Sequence, residues 1–183
     1  MGKKIFKIIA AQSNIDWTGR KITGAHNGVI AIKEGTLVLN EGKLTSGKFV
    51  IDTTSIKILD ITDPATNAQF AGHLASEDFF ASEQYPDALL IITSAKQKEN
   101  NTYTIHGDLT IKSITHPVAF DAVVNVNGDQ LMATGKLVID RTKYGMKFRS
   151  GNFFKGLGDT LIYNDFDLNV SITAKATPEP ALS

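Results

Sequence analysis

Phe166-Asp-Leu-Asn-Val-Ser-Ile-Thr-Ala-Lys175 carries an apolar side chain at every even position and a polar one at every odd position. Side chains of an extended chain point alternately to opposite faces, so this stretch reads as a strand with one face in a core and one in water. Towards the N-terminus the pattern returns. Tyr103, Ile105, Leu109 and Ile111 stand opposite Thr104, His106, Asp108, Thr110 and Lys112. Val118, Phe120, Ala122, Val124 and Val126 form another apolar face. Leu131, Ala133, Leu137 and Ile139 form a less pure one, because Met132 and Val138 lie on its other side. Earlier strands are expected at 14–22, 26–33, 36–40, 43–51 and 88–96. Turn-forming residues separate them, at Glu34-Gly35, Asn40-Glu-Gly42, Lys98-Glu-Asn-Asn101 and Asn127-Gly-Asp129. Connections this short favour an antiparallel meander, since parallel strands need long crossovers.

One excursion, from Ile61 to Pro86, interrupts the alternation. Asp63-Pro64 suits a helix start, because proline is tolerated in the first turn. Ala65, Ala68, Gln69, Ala71 and Leu74 fit a short helix, and Phe79, Phe80, Tyr85 and Pro86 follow. Eight or nine strands with one apolar face must cover that face, either by packing on a second sheet or by closing into a barrel. The alternation admits both. At 183 residues the chain is sized for one domain, expected over 1–175. Residues 176–183 carry two prolines and no periodicity and read as a disordered tail.

Lysine plus arginine equals aspartate plus glutamate, 19 against 19. That balance argues against a general nucleic-acid binder, which needs a basic excess, and against polybasic docking on anionic membranes. With no cysteine there is no disulfide, thiolate nucleophile or cysteine-based metal site. No stretch approaches the roughly 20 apolar residues of a membrane-crossing helix. The apolar run from Ile5 to Ala11 is broken by Lys7, poor for an export signal, and reads instead as a first strand heading towards Ile15 and Trp17. As written the chain reads as cytoplasmic; removal of an export signal would make it periplasmic, and the compartment stays open.

Four short runs, in order, resemble the YceI-like family. Gly72-His-Leu-Ala-Ser-Glu-Asp-Phe-Phe80 followed by Tyr85-Pro86 is similar to its central signature. Ile51-Asp-Thr-Thr-Ser-Ile56 resembles its strand-ending motif, Gly107-Asp-Leu-Thr-Ile-Lys-Ser-Ile-Thr-His-Pro-Val118 its Gly-x-Leu-Thr-Ile segment, and Asp140-Arg-Thr-Lys-Tyr-Gly145 its late Arg-x-x-aromatic-Gly. Trp17 to Gly28 resembles one branch of the family. Ser113 departs from the pattern, where glycine is usual in the turn. The resemblance implies an all-β, antiparallel lipocalin-like barrel of about eight strands with a short helical insertion and a long internal tunnel. It also implies a bound polyisoprenoid or isoprenoid-quinone chain, no catalytic residues, and frequent export. A homodimer is compatible with such a barrel, though no residue here demands one.

Of the four histidines, His106 on a polar strand face and His116 before Pro117 are expected to be solvated. His26 and His73 fall within the family-like runs. Each either braces the excursion by bonding a loop carbonyl or anchors a ligand headgroup; as acid–base groups they would make the protein an enzyme. Without an HExxH run or clustered acids, a metal site is not expected. No nucleophile elbow, phosphate loop or dinucleotide fingerprint appears, and Gly145, Gly151, Gly156 and Gly158 read as loop. Ser76 and Asp78 read as turn or cap residues.

A ligand-binding interior would be lined by Trp17, Phe49, Tyr103, Ile105, Leu109, Val118, Phe120, Leu137, Ile139, Phe166, Leu168 and Val170. The excursion would contribute Phe70, Leu74, Phe79, Phe80 and Tyr85, as an entrance or as a plug. Gly107, Ala122, Ala133 and Gly135 either leave room for a ligand or fit the taper of a filled barrel. Arg141, Tyr144 and Arg149 are candidate headgroup or surface contacts. Burial gains about 0.8 kcal/mol per CH₂, so a five-carbon unit contributes about 3 kcal/mol, and a few units offset the roughly 4–15 kcal/mol cost of association. No cofactor is expected beyond such a lipid.

Overall fold

The computed structural model describes residues 3–21, 24–146 and 162–177. The alternating stretches are strands: β1 (Lys3–Ile8), β2 (Asn14–Lys21), β3 (Gly24–Asn40), β4 (Lys43–Ile58), β5 (Asp87–Gln97), β6 (Thr102–Ile111), β7 (Ile114–Asn127), β8 (Gln130–Asp140) and β9 (Ile162–Ala176). A single helix, α1 (Pro64–Leu74), stands between β4 and β5. All pairings are antiparallel, and the order β3-β2-β9-β8-β7-β6-β5-β4 closes on itself through β3–β4. Closure settles the choice between sandwich and barrel: this is an eight-stranded barrel with β1 as an extra strand.

β1 and β2 share one position in the wall, end to end. β2 pairs with the start of β3, from Gly24 to Ile30, and β1 with its end, from Thr36 to Asn40. A 3-10 turn at Ala10–Gln12 jogs the chain between them. The first strand expected to run towards Ile15 and Trp17 is therefore two strands. Ser13 stitches the jog, donating to the Ile9 carbonyl at 2.9 Å and accepting from Thr173 N–H at 3.1 Å.

Glu34-Gly35, expected as a turn, lies inside β3 at a register shift against β4. Glycine serves close approach there. A Cβ on Gly35 would lie 2.6 Å from Ile8 Cδ1 and 2.8 Å from the Lys48 carbonyl oxygen. β4 likewise runs past its expected end at residue 51, to Ile58. Val126, placed inward by its parity, is 44% exposed beside the Gly128 turn, where the strand leaves the core. The turn between β6 and β7 is tight, with Lys112 at φ 55° and Ser113 at φ 62°. β9 continues through Ala176, and Thr177 N–H bonds the Ile5 carbonyl at 2.9 Å. The rest of the expected tail, 178–183, lies outside the described residues.

The interior is divided by height. At the end carrying the β3–β4 and β7–β8 turns, Phe6, Leu37, Leu39, Leu44, Leu131 and Ala174 pack with at most 3% exposure. Tyr103 reaches into this half, its hydroxyl accepting the Leu44 N–H at 3.4 Å. The wall itself parts at mid-height. β7 and β8 pair only between Ala122–Gly135 and Asn127–Gln130; beyond that, β7 stays with β6 and β8 with β9. A second 3-10 turn, Arg141–Tyr144, spans this parting. His116 holds it: Nε2 meets the Lys143 carbonyl at 2.9 Å, and its ring stands edge-on to Tyr144 at 5.2 Å. The expected solvated role of His116 is thus replaced by a half-buried bracing one.

Candidate functional site

The other end of the barrel is roofed by α1. Asp63 caps the helix, accepting Thr66 N–H at 2.9 Å, and Pro64 occupies its first turn, where no N–H is needed. Asn67 pins the roof to the wall, because its Nδ2 donates to the carbonyls of Ile58 at 2.8 Å and Ile61 at 3.0 Å. At spacings of three and four residues, Thr66, Gln69, Phe70, His73 and Leu74 form one helix face, and that face looks into a cavity.

The cavity measures about 730 Å³, within the roughly 300–1,000 Å³ range of small-molecule sites. Ile15 and Trp17 of β2, Ile30 of β3, and Ile51 and Ile56 of β4 wall it apolarly. Leu109 and Ile111 of β6 and Phe166 and Leu168 of β9 continue that wall. Polar groups enter chiefly as Arg20, His26, Thr66, Gln69, His73, Arg141 and Asp165.

Each cavity histidine meets a carboxylate. His26 Nδ1 lies 2.8 Å from Asp60 Oδ2, and its ring meets Phe70 edge-on at 4.9 Å. His73 Nε2 lies 3.0 Å from Asp78 Oδ2, with Phe79 edge-on at 5.1 Å. Both pairs tie the excursion together and to β3. Burial pushes the Asp60 carboxyl up, but the hydrogen bonds from His26 and from Asn27 N–H outweigh it and leave it below the usual aspartate value. Ser76 is a turn residue as expected, donating to the His73 carbonyl at 2.6 Å.

Arg141 is 3% exposed, and burial lowers its pKa. Its guanidinium donates to the Met146 carbonyl at 2.6 Å and the Ile162 carbonyl at 3.1 Å, beneath the Phe79 ring. It therefore joins the two chain ends flanking 147–161. Tyr144 is buried, which pushes its hydroxyl up to about 12. Arg149, Gly151, Gly156 and Gly158 lie outside the described residues. Arg20 pairs with Asp167 at 2.8 Å.

Of the expected lining, Trp17, Phe70, Leu74, Phe79, Phe80, Leu109, Phe166 and Leu168 face the cavity. Phe49, Tyr103, Ile105, Leu137 and Ile139 are buried in the core, and Val118, Phe120 and Val170 pack half-buried against it. Tyr85 stands past the helix, its carbonyl accepting from Thr53 Oγ1 at 2.7 Å. Gly107 makes room for backbone, since a Cβ there would lie 2.5 Å from the Ile91 carbonyl oxygen. Ile30, Ile51, Ile111, Met146 and Ile162 line the cavity without having been singled out. The roofing face of α1 was recoverable from its helical spacing; the isoleucines share their alternation with core residues and carry no separate signal. Among the described residues, no group of three or more histidines and acids is placed to hold a metal. No described helix is long and apolar enough to cross a membrane.

The family model for the YceI-like domain matches residues 6–174. A UPF0312 protein of Pseudomonas putida is 30% identical over 95 residues, 52% of this chain and 47% of that protein. The chain spans about half the length of the curated Pseudomonas relatives it matches. Among solved structures, Burkholderia cenocepacia BcnA superposes with a TM-score of 0.73 at 20% identity, covering 92% of this chain and 99% of that one. A polyisoprenoid binding domain from Saccharophagus degradans superposes with a TM-score of 0.69 at 12% identity, covering 94% and 98%.

Proposed function

Because the chain belongs to the YceI-like family, we propose that it binds an apolar lipid, a polyisoprenoid or isoprenoid quinone, in the cavity beneath α1. The observation that carries this reading is the cavity itself, about 730 Å³ of largely apolar wall inside a closed barrel. A tail placed there exchanges water for Ile15, Ile30, Ile51, Leu109 and Leu168, and gains about 0.8 kcal/mol per CH₂. Polar groups gather near the roof, so a headgroup belongs there and the tail points down the barrel. The solved relative described as a polyisoprenoid binding domain supports the same ligand class.

In this reading the role is that of a carrier or reservoir, and His26 and His73 fasten the roof through their contacts with Asp60 and Asp78. A test uses the protein's one tryptophan. Trp17 lines the cavity, so titration with a prenyl alcohol or short-chain quinone is expected to change its emission saturably at one ligand per chain. Emission that stays unchanged, with no ligand retained on gel filtration, overturns the reading.

A further inference from the structure

The cavity ends abruptly partway down the barrel. On β4, Ile51 lines it and Phe49 does not; on β3, Ile30 does and Ile32 does not. On β5 the change falls between Ala88 and Leu90. Residues two apart on a strand share a face and differ in height by about 6.6 Å, so the transition is complete within one side-chain step. On β6, Leu109 lines the cavity, Gly107 has no side chain, and Ile105 is core. Ile32, Phe49, Leu90 and Ile105 are exposed by 2%, 7%, 5% and 3%. They form a packed floor.

From this, and resting on the lipid reading above, we infer that the cavity is a length ruler with Phe49 and its neighbours as the stop. A cavity of about 730 Å³ ended by a packed floor admits only a limited number of five-carbon units. Further units remain outside in water and add nothing to affinity. The ligand is thereby an amphiphile whose tail is buried as far as the floor, whatever its total length. A close-packed floor resists displacement, because opening it sacrifices contacts on all sides.

The test is a chain-length series of prenyl alcohols, from two to nine isoprene units, presented in cyclodextrin and read by competition and native mass spectrometry. Each added unit is expected to tighten binding by up to roughly a hundredfold, with a break within the series and a plateau beyond. Ala88→Leu, which grows into the cavity, moves the break to a shorter tail. Phe49→Ala, which removes the stop, moves it to a longer one; if that variant does not fold, Ala88→Leu carries the test. Affinity that climbs unbroken through nine units overturns the ruler and leaves lipid binding standing, the tail then leaving through the parting between β7 and β8. A break unmoved by Ala88→Leu overturns it as well. Binding at no length overturns the lipid reading and the ruler together.

Discussion

His26 Nδ1 lies 2.8 Å from Asp60 Oδ2, while the other oxygen of that carboxylate accepts the Asn27 N–H at 3.1 Å. One carboxylate thus fastens the start of β3 to the chain that leaves β4 for the roof. The Asp60 pKa is lowered on folding, so its stabilisation is present in full above 3.8, the ordinary aspartate value, and fades as the pH falls through the lower folded value. Asp60→Asn is expected to cost about 0.5–1 kcal/mol at neutral pH, as befits a partly exposed pair. It should also flatten the acid limb of a stability profile recorded by urea unfolding. An acid limb identical to wild type contradicts this role.

Asn67 is the sole described side chain of α1 seen donating to carbonyls of the strand-to-helix segment, at Ile58 and Ile61. Asn67→Ala leaves both without that donor and is expected to cost about 1–2 kcal/mol locally. Hydrogen exchange should quicken across 64–74 while β6 to β9 keep their protection. Lipid off-rates should rise in the same variant.

Ser113 holds φ 62° in a two-residue turn where the preceding Lys112 is at 55°. Glycine occupies such a conformation without a Cβ penalty. Ser113→Gly is expected to stabilise the protein by about 1 kcal/mol, raising Tm by about 2–4 °C with ligand binding unchanged.

Gly28 faces the opposite constraint. A Cβ there would lie 1.8 Å from the Lys57 carbonyl oxygen and 2.7 Å from the Trp17 ring. Gly28→Ala must push β3 from β4 or displace Trp17, at a cost of about 2 kcal/mol or more. Trp17 emission should shift even without ligand. Thermal melts and emission spectra check both effects together.

Much of the barrel was legible because alternation reports directly which face of a strand is buried. The stretch from Phe166 to Lys175 forms the β9 strand as the alternation indicates, although Thr173 on its polar side is buried. Glu34-Gly35 misled because glycine marks turns and close strand approaches alike, and only the Ile8 and Lys48 neighbours distinguish them. Parity also says nothing about height. Ile105 and Leu109 share a face of β6, yet one is floor and the other cavity wall, because strand stagger around the barrel decides the level. Asp60 was invisible for a related reason: it meets His26 across 34 positions of chain, a contact that no local spacing encodes.

The most direct test of lipid binding is mass spectrometry of an organic extract from the purified protein, paired with native mass spectrometry for stoichiometry. The account predicts one prenyl-chain lipid or isoprenoid quinone per chain, carried through purification or taken up when prenols and quinones are offered. A protein that carries no lipid and takes up none would contradict it.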